Sequence, residues 1–495
     1  MGIVAKSSLK YSIILYTGIV LGYVNIILIF PNVLTEEEFG LTRILASASA
    51  VIAQVAQLGS GNIIMRFHPY LKDDAKNTTL SIGLIISVTG LIIATLLVMV
   101  FQDTLIEAYE EKSAMFTDYF YLLIPFLLSL VFYNLFDAYL RVIFKNSVSA
   151  FLNFILLRVL WLSVILLYHY DLVDTTTFIN LYVLCQAFVA IAAFLYINYL
   201  GVFNITLSFS KEKLRELKKM SSFGLFTVLS GISFFLINRL DILMVGKYVG
   251  LQAVAIYSIA FNMSSVILVP SQSIARTTMV LVAEAFKKRD FNVLNDIYKK
   301  TALNQLLFGA LIFILIAVNY NSLMQFLPPN YQDSFYVFIL LGLTKILDSA
   351  FGVNSAVILN SKYFKYDTML SLMLLITTVA TNMYFIPLLG VEGAALATAI
   401  SIVAFNIGKY FIIRQKLKLT PFNANYFKAL TIYPICYFIP FYIPSTGNVF
   451  VDVGVKSSCI ITLFTGLVYY MKVSSDFNSL VLMTIGWVTK KTFKH

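Results

Sequence analysis

Charge is scarce in this 495-residue chain: Asp, Glu, Lys and Arg together make up 12% of it. An average soluble domain carries about twice that share, and a disordered or coiled-coil chain more still, so all three classes are excluded. Cysteine is nearly missing too. Cys185, Cys436 and Cys459 each sit inside an apolar run, which leaves no disulfide scaffold. The histidines, His68, His169 and His495, are scattered, and neither a CxxC nor an HExxH pair occurs, so no metal site and no cofactor is expected. Period-two alternation is absent, which removes a β-barrel. What fills the chain instead is hydrocarbon: 59% of residues are hydrophobic and the mean hydropathy is +0.84. That is enough for roughly fourteen membrane spans of about 20 residues each. The expected fold class is an all-α polytopic membrane protein.

Apolar runs of spanning length lie near 11–30, 41–66, 78–101, 119–140, 148–168, 178–200 and 223–246, and again near 252–275, 301–318, 334–357, 367–387, 391–413, 427–443 and 452–471. They are numbered here as spans one to fourteen. The first has no small-residue cleavage site behind it and reads as a retained span, not a signal peptide. Between spans eleven and twelve, Pro387 to Gly390 is turn chemistry that closes a tight helical hairpin. Gly59-Ser60-Gly61 in span two and Pro270 in span eight mark breaks at matched places in the two halves.

Lys and Arg fix the orientation. With the N-terminus and every second loop placed on one side, that side collects 28 of the 36 basic residues. The opposite side keeps only Lys112 and Lys247 and carries Glu36, Glu37, Glu38, Asp103, Glu107, Glu110 and Glu111. The net charge of +11 therefore follows the positive-inside rule and does not indicate nucleic acid. Both termini are expected in the cytoplasm.

Residues 1–200 form an expected N-terminal six-helix lobe and 201–222 a basic cytoplasmic linker. Residues 223–413 form a second six-helix lobe, and 414–495 two extra helices with a tail. Within the linker, Ser210 to Met220 has the pattern of a short interfacial helix. The inward segment 276–300 reads as a basic loop. Six spans precede the linker, so span seven starts on the side where span one starts, as a parallel repeat requires. LTEEEFGLTRILASAS from Leu34 aligns without a gap on VGLQAVAIYSIAFNMS from Val249.

The segments LTEEEFGLTRIL and QLGSGNIIMRFHPY (Gln57 to Tyr70) resemble the opening of bacterial polysaccharide repeat-unit flippases, the O-antigen and capsule exporters. NRLDILMVGKYVGLQAVAIYSIA (Asn238 to Ala260) and PLLGVEGAALATAIS (Pro387 to Ser401) resemble later landmarks of the same group, in order. That group belongs to the multidrug/oligosaccharidyl-lipid/polysaccharide (MOP) exporter superfamily. The resemblance implies two six-helix lobes in a V around a central cavity, two further C-terminal helices, and movement of a polyprenyl-diphosphate-linked oligosaccharide from the inner to the outer leaflet. It implies the bacterial inner membrane, a place in lipopolysaccharide or other surface-polysaccharide biosynthesis, and contact with membrane lipids and polymerase machinery.

Charges inside spans are expensive, about 2.5–3.5 kcal/mol each at the bilayer centre, so they mark candidate sites. The bases are Arg43, Arg158, Arg239, Lys345, Lys409 and Lys456, and the acids Asp137, Asp241, Asp348, Glu392 and Asp452. Arg239, on span seven, and Lys345 are candidate substrate contacts. Arg66 and Arg276, at the inner ends of spans two and eight, are candidate diphosphate contacts, because a planar guanidinium suits that group. Asp241, Asp348 and Glu392 are candidate ion-coupling acids or members of structural ion pairs. Lys345 and Asp348 share a helix face and are placed to pair. Arg158 is assigned a bond to Asp137 or a backbone carbonyl, and Lys409 the role of a snorkelling anchor.

Several alternatives compete. Flipping of a peptidoglycan precursor is one, but the opening motif expected of that family is not seen. A multidrug or cation antiporter of the same superfamily would want an acidic cavity, whereas the charges deep in these spans are basic on balance. A membrane glycosyltransferase or polymerase would need a sizeable outward domain and a catalytic cluster, and neither is visible. No enzyme activity is expected.

Overall fold

The computed structural model describes residues 2–68, 76–201, 224, 235–237, 239–444, 446–479 and 481–483. All regular structure among them is helical, and ten helical segments are long and apolar enough to cross a membrane. The protein is an all-α polytopic membrane protein. One of the ten, Phe364–Leu417, is two spans: at Gly390 the backbone turns to φ 59°, ψ −131°, three residues after Pro387. No atom lies within 4 Å of where a Cβ would sit on Gly390, so glycine is needed for its backbone angles and not for space. The expected hairpin is therefore present. The basic linker from 202 onward, its Ser210–Met220 segment, most of span seven and the tail from 484 lie outside the described residues.

The chain forms two compact units, Met1–Ser258 and Ile259–His495. In the first, span two begins at Thr35, whose side chain accepts from Glu38 N while the Glu38 carboxylate accepts from Thr35 N at 2.9 Å. This reciprocal cap satisfies two of the helix's free amides. The same Glu38 carboxylate, buried, accepts from Tyr168 at 2.7 Å and Thr175 at 2.9 Å, tying span two to the turn between spans five and six. Glu38→Ala strands three donors, a loss on the order of 2–3 kcal/mol. A clear fall in Tm of the detergent-solubilised protein is expected, and an unchanged Tm would remove Glu38 from this role.

Span two breaks where the glycines predict. Leu58 and Gly59 take positive φ, and a short helix, Ser60–Phe67, follows. In span eight a 3-10 turn, Val266–Leu268, ends at Pro270 in the first turn of Val269–Lys288.

Two expectations need correction. The inward segment 276–300 is not a loop. The helix runs on to Lys288, Arg289 caps it in the left-handed region, and Asp290 caps the next helix, Phe291–Val318, by accepting from Val293 N. Lys288 pairs with Glu284 one turn back and Lys300 with Asp296, so these two charges belong to helix-surface pairs. Nor does Asp137 hold Arg158. Asp137 pairs with Arg141, one turn away, at 2.6 Å and accepts from Ser149, because a local partner is reached without crossing to another span.

Candidate functional site: an arginine cluster among aromatic rings

Three arginines converge in the first unit. Span one is helical to Tyr23, then makes a π turn over Val24–Ile29; span five makes one over Phe151–Leu156, just before Arg158. Such bulges insert a residue and leave ladder groups unsatisfied, which is why they collect at functional positions. Asn25, buried in the first bulge, donates to the Arg158 carbonyl at 2.8 Å and pins the two spans together. Gly18 and Gly22 allow the approach: a Cβ on Gly18 would lie 2.4 Å from Phe154 Cβ, and one on Gly22 3.1 Å from Arg158 Nε.

The guanidinium of Arg158 lies 5.0 Å from the Trp161 ring, and Trp161 stacks on Tyr182 at 4.8 Å. Arg43, on span two, donates to the Tyr182 hydroxyl at 2.9 Å and lies over Phe30 and Phe39 at 5.7 and 5.4 Å. Arg239, on span seven, is close enough to Arg43 and Tyr182 to interact with both electrostatically. Tyr182, buried among Phe126, Phe178 and Trp161, thus bonds Arg43 and lies within electrostatic reach of Arg158 and Arg239.

None of these arginines is paired with a carboxylate among the described residues, and Arg158 Nε has no hydrogen-bond partner there. Each is partly exposed. Counting helical residues to the acid-rimmed ends of their spans, they sit about 10–16 Å deep at ~1.5 Å per residue. Rings offset part of their cost through cation–π attraction, about 0.5–2 kcal/mol each, but rings do not cancel charge. Three cations with no carboxylate partner among the described residues, in a medium of low dielectric, have the charge to attract an anion. Gly22→Val, which presses on Arg158 Nε, is expected to lower transport at least tenfold. Gly454→Val, in open space, is expected to leave transport unchanged; equal effects would show that the Arg158 contact is incidental.

The other proposed residues lie elsewhere. Arg66 and Arg276 are exposed, Arg66 lying 5.7 Å from the Phe67 ring. Glu392 is exposed beside the Gly390 turn. Asp241 is buried and accepts from Tyr257 at 2.7 Å. Lys345 and Asp348 share their face of span ten, yet Lys345 Nζ lies 5.4 Å from the Phe261 ring, while Asp348 accepts from Asn406 at 2.8 Å. The two side chains are thus engaged with groups on other helices. Lys409 is not a snorkelling anchor. It is buried and paired with Asp367 at 2.8 Å, because the hairpin brings that carboxylate within reach. Sequence reasoning named Arg239 and assigned Arg43 and Arg158 no place in the site. Their presence in apolar runs was the available signal, and their convergence on Tyr182 had none.

Each unit carries an apolar groove among its described residues. The first, about 470 Å³, runs between spans two, three and four and reaches Tyr109 and Phe116. The second, about 610 Å³, lies among spans nine, ten and thirteen.

Residues 227–332 match the MatE family. No curated protein matches the sequence. The fold is shared with solved structures. An inward closed conformation of the lipid II flippase MurJ superposes with a TM-score of 0.73 at 13% identity, over 95% of this chain and 99% of that one. An inward-facing multidrug resistance MATE transporter of the MOP superfamily gives 0.62 at 18% identity, over 79% and 92%. A MOP superfamily transporter from Pyrococcus furiosus, described as having a binding pocket of reversed polarity, gives 0.54 at 17% identity, over 83% and 96%.

Proposed function

We propose that this chain is a MOP superfamily transporter that flips a polyprenyl-diphosphate-linked oligosaccharide across the bacterial inner membrane for surface-polysaccharide assembly, with both termini in the cytoplasm. The observation that carries the proposal is the arginine cluster. Three arginines with no acidic partner among the described residues favour an anionic head group and disfavour cationic drugs. Arg43, Arg158 and Arg239 would hold the diphosphate, with Arg66 and Arg276 as first contacts at the basic-rimmed ends of their spans. The apolar grooves have the chemistry of a hydrocarbon chain, so a lipid tail can stay in a greasy environment while the head crosses. The fold shared with a lipid II flippase supports a lipid-linked cargo, and the quoted flippase-like segments support a polysaccharide repeat unit.

The multidrug or cation antiporter remains the second reading, favoured by the MatE match over residues 227–332. It requires the site to take cations. Mass spectrometry of polyprenyl-diphosphate glycans after depletion of the protein separates the two. Accumulation of a completed lipid-linked repeat, with surface polymer lost, is the expected result. An unchanged lipid-linked pool, with cells newly sensitive to cationic drugs, would establish the antiporter instead.

A further inference from the structure

The second unit treats its internal charges differently. Lys409 Nζ, its side chain 3% exposed, lies 2.8 Å from Asp367 Oδ1, donates to Ser355 Oγ at 2.7 Å, and sits 3.9 Å from the centre of the Phe405 ring. A carboxylate, a hydroxyl and a ring face are the partners a weakly hydrated monovalent cation takes in protein interiors. Behind this set runs a hydrogen-bonded chain with every link in place. Ser355 donates to Asn354 Oδ1 at 3.3 Å, Asn354 to Asn406 Oδ1 at 2.7 Å, and Asn406 to Asp348 Oδ1 at 2.8 Å.

Four helical segments meet at this chain: Ser334–Ala350, Asn354–Leu359 and the two arms of Phe364–Leu417. A charge at their junction is structural, since its loss leaves the Asp367 carboxylate without the counter-charge it has in Lys409.

We infer that this junction is a monovalent-cation site whose occupant is the chain's own Lys409 ammonium, and that emptying it by substitution makes the second unit depend on a soluble alkali cation. The ammonium is tethered, so the native protein needs no Na⁺ or K⁺ at this point. Any ion that drives transport must bind elsewhere, and Asp348, already engaged by Asn406, is relieved of that role.

The test uses the full chain in detergent at constant ionic strength, with Na⁺, K⁺ or N-methyl-D-glucamine as the only cation. Wild-type Tm is expected to be the same in all three. Lys409→Met is expected to melt at least 5 °C lower in N-methyl-D-glucamine than in the better alkali cation, and to bind ⁸⁶Rb⁺ where the wild type does not. Lys409→Met/Asp367→Asn, which removes both charges, is expected to be indifferent to the cation and to bind no ⁸⁶Rb⁺. A folded Lys409→Met protein whose Tm ignores the cation would overturn the inference. So would a double variant that stays cation-sensitive, or a Lys409→Met protein that no alkali salt recovers while the double variant folds.

Discussion

Arg158→Met is expected to cut transport by about two orders of magnitude and, at the same time, to raise the protein's thermal stability. The two effects have opposite signs for one reason. An arginine that reaches no carboxylate costs about 2.5–3.5 kcal/mol within a membrane, and methionine fills similar space without that cost. Breaking a desolvated contact between a guanidinium and an anion costs about 2–5 kcal/mol, which corresponds to a loss of about 30- to several-thousand-fold in binding. Arg158 lies against the ring of Trp161, and no acid among the described residues pairs with it, so on the proposed reading a bound anion compensates its charge. Tm and rate of cargo translocation, measured on the same preparation, decide the matter. A fall in Tm with Arg158→Met would show that the guanidinium braces the fold, and unchanged transport would take it out of the path.

Gly40→Val is expected to abolish transport at normal protein level. A Cβ on Gly40 would lie 2.0 Å from the Leu251 carbonyl oxygen, far inside contact distance, and the obstacle is backbone that has no rotamer to yield. Gly40 lies in the first turns of span two and Leu251 opens span eight, so the glycine permits the acid-rimmed ends of these spans to touch. Gln252 donates to Glu37 at 3.1 Å across the same contact. In the ungapped alignment of LTEEEFGLTRILASAS on VGLQAVAIYSIAFNMS, Glu37 and Gln252 are equivalent positions. Alternating access requires that such a contact close and open in turn. Cysteine placed at Gln252, labelled by a membrane-impermeant maleimide, is expected to react faster in the Gly40→Val background than in the parent. Equal labelling with full transport would show that the close approach is dispensable.

The spans were readable because hydropathy over 20 residues is a strong signal and is insensitive to packing. The breaks were readable for a related reason: Gly59 and Gly390 adopt backbone angles that few other residues tolerate. The charged residues were harder. Asp137 has Arg141 one turn away on its own helix, a pair that spacing alone gives. The Lys409–Asp367 pair was also within reach of the sequence. A fold-back at Gly390 places residues at similar distances on either side of it at similar heights, and Asp367 and Lys409 satisfy that, as do Thr381 and Ser401, whose hydroxyls meet at 3.2 Å. The arginine cluster was not readable. It draws Arg43, Arg158 and Arg239 from three spans around a tyrosine of a fourth, and helix order does not say which faces meet.

Whether the cluster binds a diphosphate is the claim on which the rest depends. The direct measurement is lipid binding to the purified protein in nanodiscs, comparing a polyprenyl diphosphate with the uncharged polyprenol of the same chain. The Arg43→Ala/Arg158→Ala/Arg239→Ala variant is measured beside the wild type. The arrangement around Tyr182 predicts that the wild type prefers the diphosphate by at least tenfold and that the triple variant binds both lipids alike. Equal binding of the two lipids by the wild type, or an undiminished preference in the triple variant, would contradict it.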